Sequence, residues 1–305
     1  MEYKENRYRS ADGLELYYRE YGSGEQGIIC LPGLSRNSKD FHDLAGHLAA
    51  RYRVICPDLR GRGQSQRDPG GKTYNIIAYT QDARQLMDVA KLDKPVLIGT
   101  SLGGFISLTM AYLVPDRLRA IVLNDAGPEV DPAGVRRILG YAGERVPVSN
   151  WEQAAQQVKA NYGAGLPGMP DAFWAEFARQ SYIENEDGIP VIDVDPQIYS
   201  SLKSAHRAGK ILKFLNSIGL VKKVRGIPVD AWESFRAVTM PCLVLRGETS
   251  DILSAATVQK MRTIKHDLTV ATIPNRGHAP LLDEAESLAA IDSFLARLSA
   301  GGDTG

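Results

Sequence analysis

Short apolar runs recur along the sequence and alternate with stretches of helical periodicity. The apolar runs cover residues 28–31, 54–56, 96–98, 120–123 and 243–245. Runs this short are typical of strands buried on both faces of a mostly parallel sheet. Helical spacing of apolar residues is found in 40–50, 76–90 and 102–113. The alternation predicts an α/β fold, with a mostly parallel central sheet flanked by helices.

The start of this pattern and the long interruption within it define the predicted domains. Strand-like segments 5–10 and 14–21 are joined by Asp12-Gly13, which predicts an antiparallel hairpin at the start of the chain. From Gly127 to Pro228 the alternation stops, and aromatic, helix-like pieces broken by glycine and proline replace it. We expect a core of residues 1–126 and 229–305 with a helical cap, 127–228, inserted into it.

Charge and composition exclude several classes of partner. The 305 residues include 36 Lys and Arg and 36 Asp and Glu, so the net charge is zero, and no long run of one sign is present. Nucleic acid is therefore not an expected partner. An apolar leader is absent after the mixed-charge N-terminus, and no apolar run reaches the length of a membrane span. We expect a cytoplasmic protein without membrane association.

The strongest chemical signal is the sequence Gly99-Thr100-Ser101-Leu102-Gly103. A buried strand runs directly into this Gly-x-Ser-x-Gly motif, and an apolar helix leaves it. A nucleophilic serine needs this strand-turn-helix setting, because the sharp turn projects the side chain above the sheet. The flanking glycines allow the strand and the helix to approach closely. We identify Ser101 as the candidate nucleophile.

Serine requires a general base, and the base requires a group that fixes its tautomer. Among five histidines, His278 alone follows a strand-like run and a breaker loop at the rim where α/β sheets bind ligands. The expected acid is Asp251, which follows the strand-like run 243–245. Two alternatives stay open at this stage: Glu248 in the same loop, and Asp125 after the run 120–123.

Acyl transfer also needs backbone donors for the developing oxyanion. The N–H of Leu102 follows the nucleophile and is one expected donor. The other is the N–H of Leu34, since Pro32-Gly33 lets the loop after the first buried run turn towards Ser101.

Taken together, these motifs resemble those of the α/β-hydrolase superfamily. The segment from Asp58 to Ser65 is similar to the family's Asp-x-x-Gly-x-Gly-x-Ser turn, and the segment around Gly277-His278 is similar to the one that carries the triad histidine. The resemblance extends over nearly the whole chain outside the expected cap. The chain departs from the family at the oxyanion loop, where Leu31-Pro32 replaces the usual histidine. Serine at position 101 excludes relatives with an aspartate nucleophile.

The resemblance implies a serine esterase with a helical cap, acting on a small-molecule and mainly apolar ester. It implies neither a metal nor an organic cofactor. Phe173, Trp174 and Phe177 are the expected cap contribution to the substrate pocket, and Phe173 and Phe177 share one helix face. Two other functions remain open on the same scaffold: hydrolysis of a carbon-carbon bond or a lactone, and ligand reception with little turnover.

Overall fold

The computed structural model describes residues 1–141, 146–217 and 220–300, without the side chains of 141, 211–215 and 217. Its strands and helices are numbered here in chain order. The strands are β1 Lys4–Arg9, β2 Glu15–Tyr21, β3 Gly27–Leu31, β4 Arg53–Pro57, β5 Val96–Thr100, β6 Ala120–Asn124, β7 Tyr182–Glu184, β8 Pro190–Ile192, β9 Lys223–Val224, β10 Ile227–Pro228, β11 Cys242–Gly247 and β12 Thr269–Ile273. The helices are α1 His42–Leu48, α2 Ile76–Val89, α3 Leu102–Leu113, α4 Pro132–Tyr141, α5 Trp151–Tyr162, α6 Asp171–Ser181, α7 Gln197–Ser217, α8 Ala231–Arg236, α9 Ala255–Ile264 and α10 Ala285–Ala300.

Eight strands form one sheet in the order β1-β2-β4-β3-β5-β6-β11-β12. The first three strands in this order pair antiparallel, and all later neighbours pair parallel. The sheet separates two apolar clusters, one on each face. All residues of β3 and β6 are buried, as expected for central parallel strands covered by helices on both sides. The predicted fold class is thereby confirmed.

Parallel pairing brings the carboxyl ends of β3, β5, β6 and β11 to one edge of the sheet. The loops that follow these strands carry Leu34, Ser101, Asp125 and Asp251. Residues of distant sequence position therefore meet at this edge, which is where open α/β sheets place their ligands.

The described residues of 127–228, called the insertion below, add no strand to the large sheet. Helices α4 to α7 are accompanied by two small hairpins, β7-β8 and β9-β10, which the purely helical expectation for this segment lacked. Trp174, Phe177, Val158 and Tyr182 belong to a separate apolar cluster within the insertion. The domain boundaries at 127 and 228 stay a prediction. Within the described ranges, no helix is long and apolar enough to cross a membrane.

Candidate active site

Ser101 occupies a sharp turn between β5 and α3. Its backbone has a φ of 51° and a ψ of −109°, a left-handed conformation that costs a non-glycine residue energy and that is typical of functional turns. The glycines on either side are required by contact. A Cβ at Gly99 would lie 2.3 Å from the backbone of Gly103, and one at Gly103 would lie 2.0 Å from the carbonyl oxygen of Leu31. The turn therefore holds the serine hydroxyl above the sheet edge.

His278 lies in the loop that follows β12, and its two ring nitrogens have different partners. Nε2 lies 2.9 Å from Ser101 Oγ, and Nδ1 lies 2.7 Å from Asp125 Oδ2. The imidazole is almost buried, with its side chain 9% exposed, and the Asp125 side chain is fully buried. The structure thus brings Ser101 and His278 together as the sequence predicts, and it adds Asp125 behind them.

The position predicted for Asp251 needs correction. Asp251 does not contact His278 Nδ1, because Asp125 is there. Its carboxylate pairs instead with the guanidinium of Arg137 on α4, at 2.6 and 2.7 Å. This pair lowers the pKa of Asp251, and the charge of His278 lowers it further. Asp251 therefore lies near the histidine but faces the insertion. Glu248, the other alternative, accepts the N–H of Asn275.

Asp125 is held by the loop that also carries Asp251. Oδ1 accepts the N–H of Gly247 at 3.0 Å, and Oδ2 accepts the Ser250 hydroxyl at 2.5 Å. Since β11 neighbours β6 in the sheet, this loop lies directly over the end of β6. Three hydrogen-bonding partners hold this buried carboxylate in a fixed orientation. The arrangement suits an acid that fixes the tautomer of His278.

The predicted oxyanion donors lie beside Ser101. Leu34 and Gly33 line the same cavity as Ser101 and His278, and the Cβ position of Gly33 is 3.8 Å from Ser101 Cβ. Leu102 is the first residue of α3, so its N–H belongs to the helical turn that lacks intrahelical acceptors. The helix dipole adds positive potential at this point.

Sequence reasoning missed the function of Arg62, although it lies within the recognised Asp-x-x-Gly-x-Gly-x-Ser turn. Arg62 is 1% exposed. Its Nε donates to the carbonyl oxygen of Leu34 at 2.8 Å, and its Nη1 donates to the Tyr79 hydroxyl at 3.0 Å. The contact ties the loop of Leu34, which lines the same cavity as Ser101, to the buried Arg62. A basic residue between two turn glycines is too weak a signal to predict this from sequence.

The cavity above Ser101 has a volume of about 230 Å³. Phe173 and Phe177 of α6 line it, with ring centroids 5.5 Å apart. Trp174, expected to join them, is not among the lining residues; it is 2% exposed and packs inside the insertion. One residue advances about 100° around a helix, so Trp174 points away from the face shared by its neighbours at i and i+4 spacing.

Charged groups surround the outer part of this cavity. Arg36 is buried, and Nε and Nη2 on one edge of its guanidinium donate to the two carboxylate oxygens of Asp40, at 2.8 and 2.5 Å, so its charge is compensated. Asp43, Glu176 and Asp283 line the cavity and are exposed. Although Asp283 is exposed as a whole residue, partial desolvation of its carboxyl, together with the charges of Glu284 and Asp43, raises its pKa. The opening therefore carries negative charge.

No group of three or more His, Cys, Asp or Glu side chains in the described part of the chain is arranged to hold a metal ion. The chemistry available at the site is that of a hydroxyl, an imidazole, a carboxylate and backbone donors. Such a set can transfer an acyl group by nucleophilic attack assisted by proton transfer.

Comparison with known proteins agrees with this geometry. The chain is 30% identical over 291 residues to the 3-hydroxybutyrate-oligomer hydrolase of Cupriavidus necator, covering 92% of both chains. It is 28% identical over 268 residues to the 2-(acetamidomethylene)succinate hydrolase of Mesorhizobium japonicum, covering 87% of this chain and 85% of that protein. A crystallised alpha/beta hydrolase from Novosphingobium aromaticivorans superposes with a TM-score of 0.83 at 38% identity, over 97% of this chain and 99% of that one.

The family profile described as the alpha/beta hydrolase fold matches residues 27–285. This range includes β3 to β12, the turn at Ser101, the insertion and the loop of His278. The match covers well over half of the chain and agrees with the topology of the sheet. The chain belongs to the α/β-hydrolase family.

Proposed function

We propose that this protein hydrolyses carboxylic esters through an acyl-enzyme on Ser101, with His278 as general base and Asp125 as the acid that orients it. One observation carries the proposal: the unbroken series of contacts from Ser101 Oγ to His278 Nε2, and from His278 Nδ1 to Asp125 Oδ2. The series stands at the base of a cavity large enough for an ester group. A nucleophile, a base and an orienting acid in this arrangement are the requirements of acyl transfer.

In the first half of the reaction, His278 Nε2 takes the proton of Ser101 while Oγ bonds to the acyl carbon. The carbonyl oxygen becomes an oxyanion, which the N–H groups of Leu34 and Leu102 stabilise. Each such donor is worth about 3 kcal/mol in the transition state. Asp125 stabilises the imidazolium. The bond from carbon to the alcohol oxygen then breaks, and His278 returns its proton to the alcohol.

In the second half, His278 takes a proton from water as the water oxygen attacks the acyl carbon. The tetrahedral intermediate collapses with loss of Ser101 Oγ, which receives the proton back from His278. The products are a carboxylic acid and an alcohol, and neither a metal nor an organic cofactor takes part.

The insertion acts as a cap over the serine in this proposal. Phe173 and Phe177 line the cavity from the insertion side, and Leu166 contributes a further apolar surface. An apolar cover excludes bulk water from the acyl-enzyme and strengthens the electrostatic interactions beneath it. The proposed substrate is accordingly a small, mainly apolar ester.

One relative supports ester hydrolysis in particular. Oligomers of 3-hydroxybutyrate, which the Cupriavidus necator protein is named for, are joined by ester bonds. A relative from Pseudomonas putida named 2-hydroxy-6-oxo-2,4-heptadienoate hydrolase matches a shorter part of the chain, 29% identical over 195 residues. Carbon-carbon cleavage is therefore the alternative that the experiment must separate.

The proposal is tested with p-nitrophenyl butyrate and a vinylogous 1,5-diketone. We expect a burst of one p-nitrophenol per chain, turnover of the ester alone, and mass spectrometry placing the butyryl group on Ser101. Ser101→Ala should abolish both, while Ser204→Ala, an exposed serine of α7, should change neither. Cleavage of the diketone in preference to the ester would replace the proposal by carbon-carbon hydrolysis. Binding without multiple turnover of either compound would indicate a receptor.

A further inference from the structure

A second cavity, about 690 Å³ in volume, lies next to the cavity of Ser101. It is bounded by α5, the β7-β8 hairpin, residues 146–149 and the beginning of α7. This space is called the side chamber below. It is larger than the cavity above the serine, and none of the catalytic steps described above uses it.

The side chamber is mainly aliphatic. More than half of its described lining residues are valine, isoleucine or proline, among them Val146, Val158, Ile189, Val191, Ile192 and Val194. Arg67 is the one charged side chain among the described lining residues. Three of the aliphatic residues, Val146, Ile189 and Val191, are more than one-third exposed. Apolar surface in a concave space of this size is typical of ligand sites.

The two cavities meet at Ser35 and Tyr162, which line both of them. The Ser35 hydroxyl and the Tyr162 hydroxyl are 2.7 Å apart and share a hydrogen bond. Ser35 directly follows Leu34, the proposed oxyanion donor. An apolar chain attached to an acyl carbon at Ser101 would have to pass this hydrogen-bonded pair to enter the side chamber.

The outer opening of the Ser101 cavity is less suitable for such a chain. Asp43, Glu176 and Asp283 line it and are exposed. Extending an alkyl chain between carboxylates and water buries little apolar surface, whereas the side chamber would remove the chain from water. Burial stabilises each methylene by about 0.8 kcal/mol, which corresponds to roughly fourfold per methylene.

We propose that the side chamber binds the acyl chain of the ester substrate, so that the enzyme acts on esters of medium-length aliphatic acids. This inference rests on the proposed function. The acyl side is favoured over the alcohol side because the leaving oxygen must lie at His278 Nε2 to receive its proton, whereas the passage at Ser35 lies beside the oxyanion loop. The alcohol then faces the opening near Asp283.

Two variants one residue apart on α5 test the chamber. Asn161 lines it, and the neighbouring Ala160 is exposed and does not line it. Asn161→Trp places an indole in the chamber, and Ala160→Trp places the same group in solvent. We expect kcat/KM of the wild type to rise from p-nitrophenyl acetate to octanoate. The ratio of octanoate to acetate should fall at least tenfold in Asn161→Trp and keep its wild-type value in Ala160→Trp.

A second series of substrates, alkyl acetates from methyl to octyl, varies the alcohol side of the ester. The kcat/KM of these substrates should depend less on chain length, and this dependence should be equal in the two variants. A dependence on alcohol length that Asn161→Trp removes would overturn the acyl assignment. Equal acyl profiles in the wild type and both variants would overturn the chamber while leaving ester hydrolysis intact. Failure of the proposed function is distinct, because no ester would then be turned over.

A structural measurement covers the case in which Asn161→Trp does not fold. Wild-type protein treated with p-nitrophenyl n-octylphosphonate should carry the octylphosphonyl group on Ser101 Oγ, with release of p-nitrophenol. A crystal structure of the adduct should show the octyl chain beyond Tyr162, in the side chamber. An octyl chain lying between Glu176 and Asp283 would contradict the inference.

Discussion

The loops after β6 and β11 each present an aspartate to the same region, yet the two carboxylates have different surroundings. Asp125 is fully buried and contacts His278, Ser250 and the N–H of Gly247. Asp251 has a side chain 34% exposed, paired with Arg137. Both follow neighbouring strands of one sheet. The difference shows that a position past a strand end brings a carboxylate near the histidine, while its own hydrogen-bond partners determine its role.

The loop after β11 contributes to both arrangements. Ser250 and Gly247 hold Asp125 in place, and the next residue, Asp251, reaches the insertion through Arg137. The insertion approaches this loop closely at a second point, because a Cβ at Gly134 would lie 2.3 Å from the carbonyl oxygen of Asp251. We therefore interpret Asp251 as a contact between core and insertion, and Asp125 as part of the catalytic group.

The largest expected effect separates the two aspartates directly. Asp125→Asn should lower kcat for p-nitrophenyl butyrate by about 10⁴-fold, because an amide stabilises the wrong tautomer of His278 and cannot stabilise the imidazolium. Asp251→Asn is the same change in the loop after the neighbouring strand, and it should lower kcat by less than about tenfold. Steady-state kinetics on both variants measures the difference. A greater loss in Asp251→Asn would reverse the assignment.

A smaller effect is expected at Ser250. Ser250→Ala removes one donor from the buried carboxylate of Asp125, and we expect kcat to fall about tenfold, in line with the loss of one hydrogen bond to a charged group. Thr249→Ala is the control, since its hydroxyl contacts the exposed carbonyl of Arg276. Equal rates in the two variants would show that Ser250 does not support Asp125.

The smallest effect concerns stability. Arg137 lowers the pKa of Asp251 below its ordinary value of 3.8, so the ion pair stabilises the folded state at neutral pH. That contribution is lost as the pH falls through the pKa of the folded state. Asp251→Asn should lower the free energy of unfolding by roughly 1 kcal/mol or less at pH 7, and the difference from wild type should shrink between pH 5 and pH 3.

Urea unfolding of the wild type and of Asp251→Asn at pH 5 and at pH 3 measures this difference. Asp171→Asn is the comparison: Lys159 lowers the pKa of Asp171 in the same way, but this pair is exposed to solvent, so its difference from wild type should have the same direction and be smaller. A difference that grows on acidification would contradict the predicted direction.

The local sequence is sufficient to predict the sheet and the pair of residues, Ser101 and His278, that the structure brings into contact. The buried strands are readable because parallel central strands need apolar residues on both faces, and Ser101 is readable because its turn requires Gly99 and Gly103. His278 is readable because it follows the last strand and a breaker loop. These features depend on local sequence, so periodicity and turn chemistry reveal them.

The remaining features depend on distances between loops. Asp125 and Asp251 both lie between Ser101 and His278 in chain order. Their contacts distinguish them, because Asp125 contacts His278 and Ser250 whereas Asp251 pairs with Arg137. The contact of Arg62 with the Leu34 carbonyl joins two loops from different strands. Trp174 is an aromatic residue of the kind that lines ligand pockets, but it lies on the face of α6 that packs inside the insertion. The contacts of Asp125 and Arg62 do not follow from local pattern, whereas the orientation of Trp174 follows from its helical spacing relative to Phe173 and Phe177.

The central claim is that Asp125 orients His278, and the proton on Nδ1 reports it most directly. Proton NMR of the wild type should show one low-field resonance from the Nδ1–H that His278 donates to the carboxylate, and His278→Ala should remove it. Asp125→Ala should also remove it, and Asp251→Ala should leave it in place. A resonance that persists in Asp125→Ala and disappears in Asp251→Ala would contradict the account.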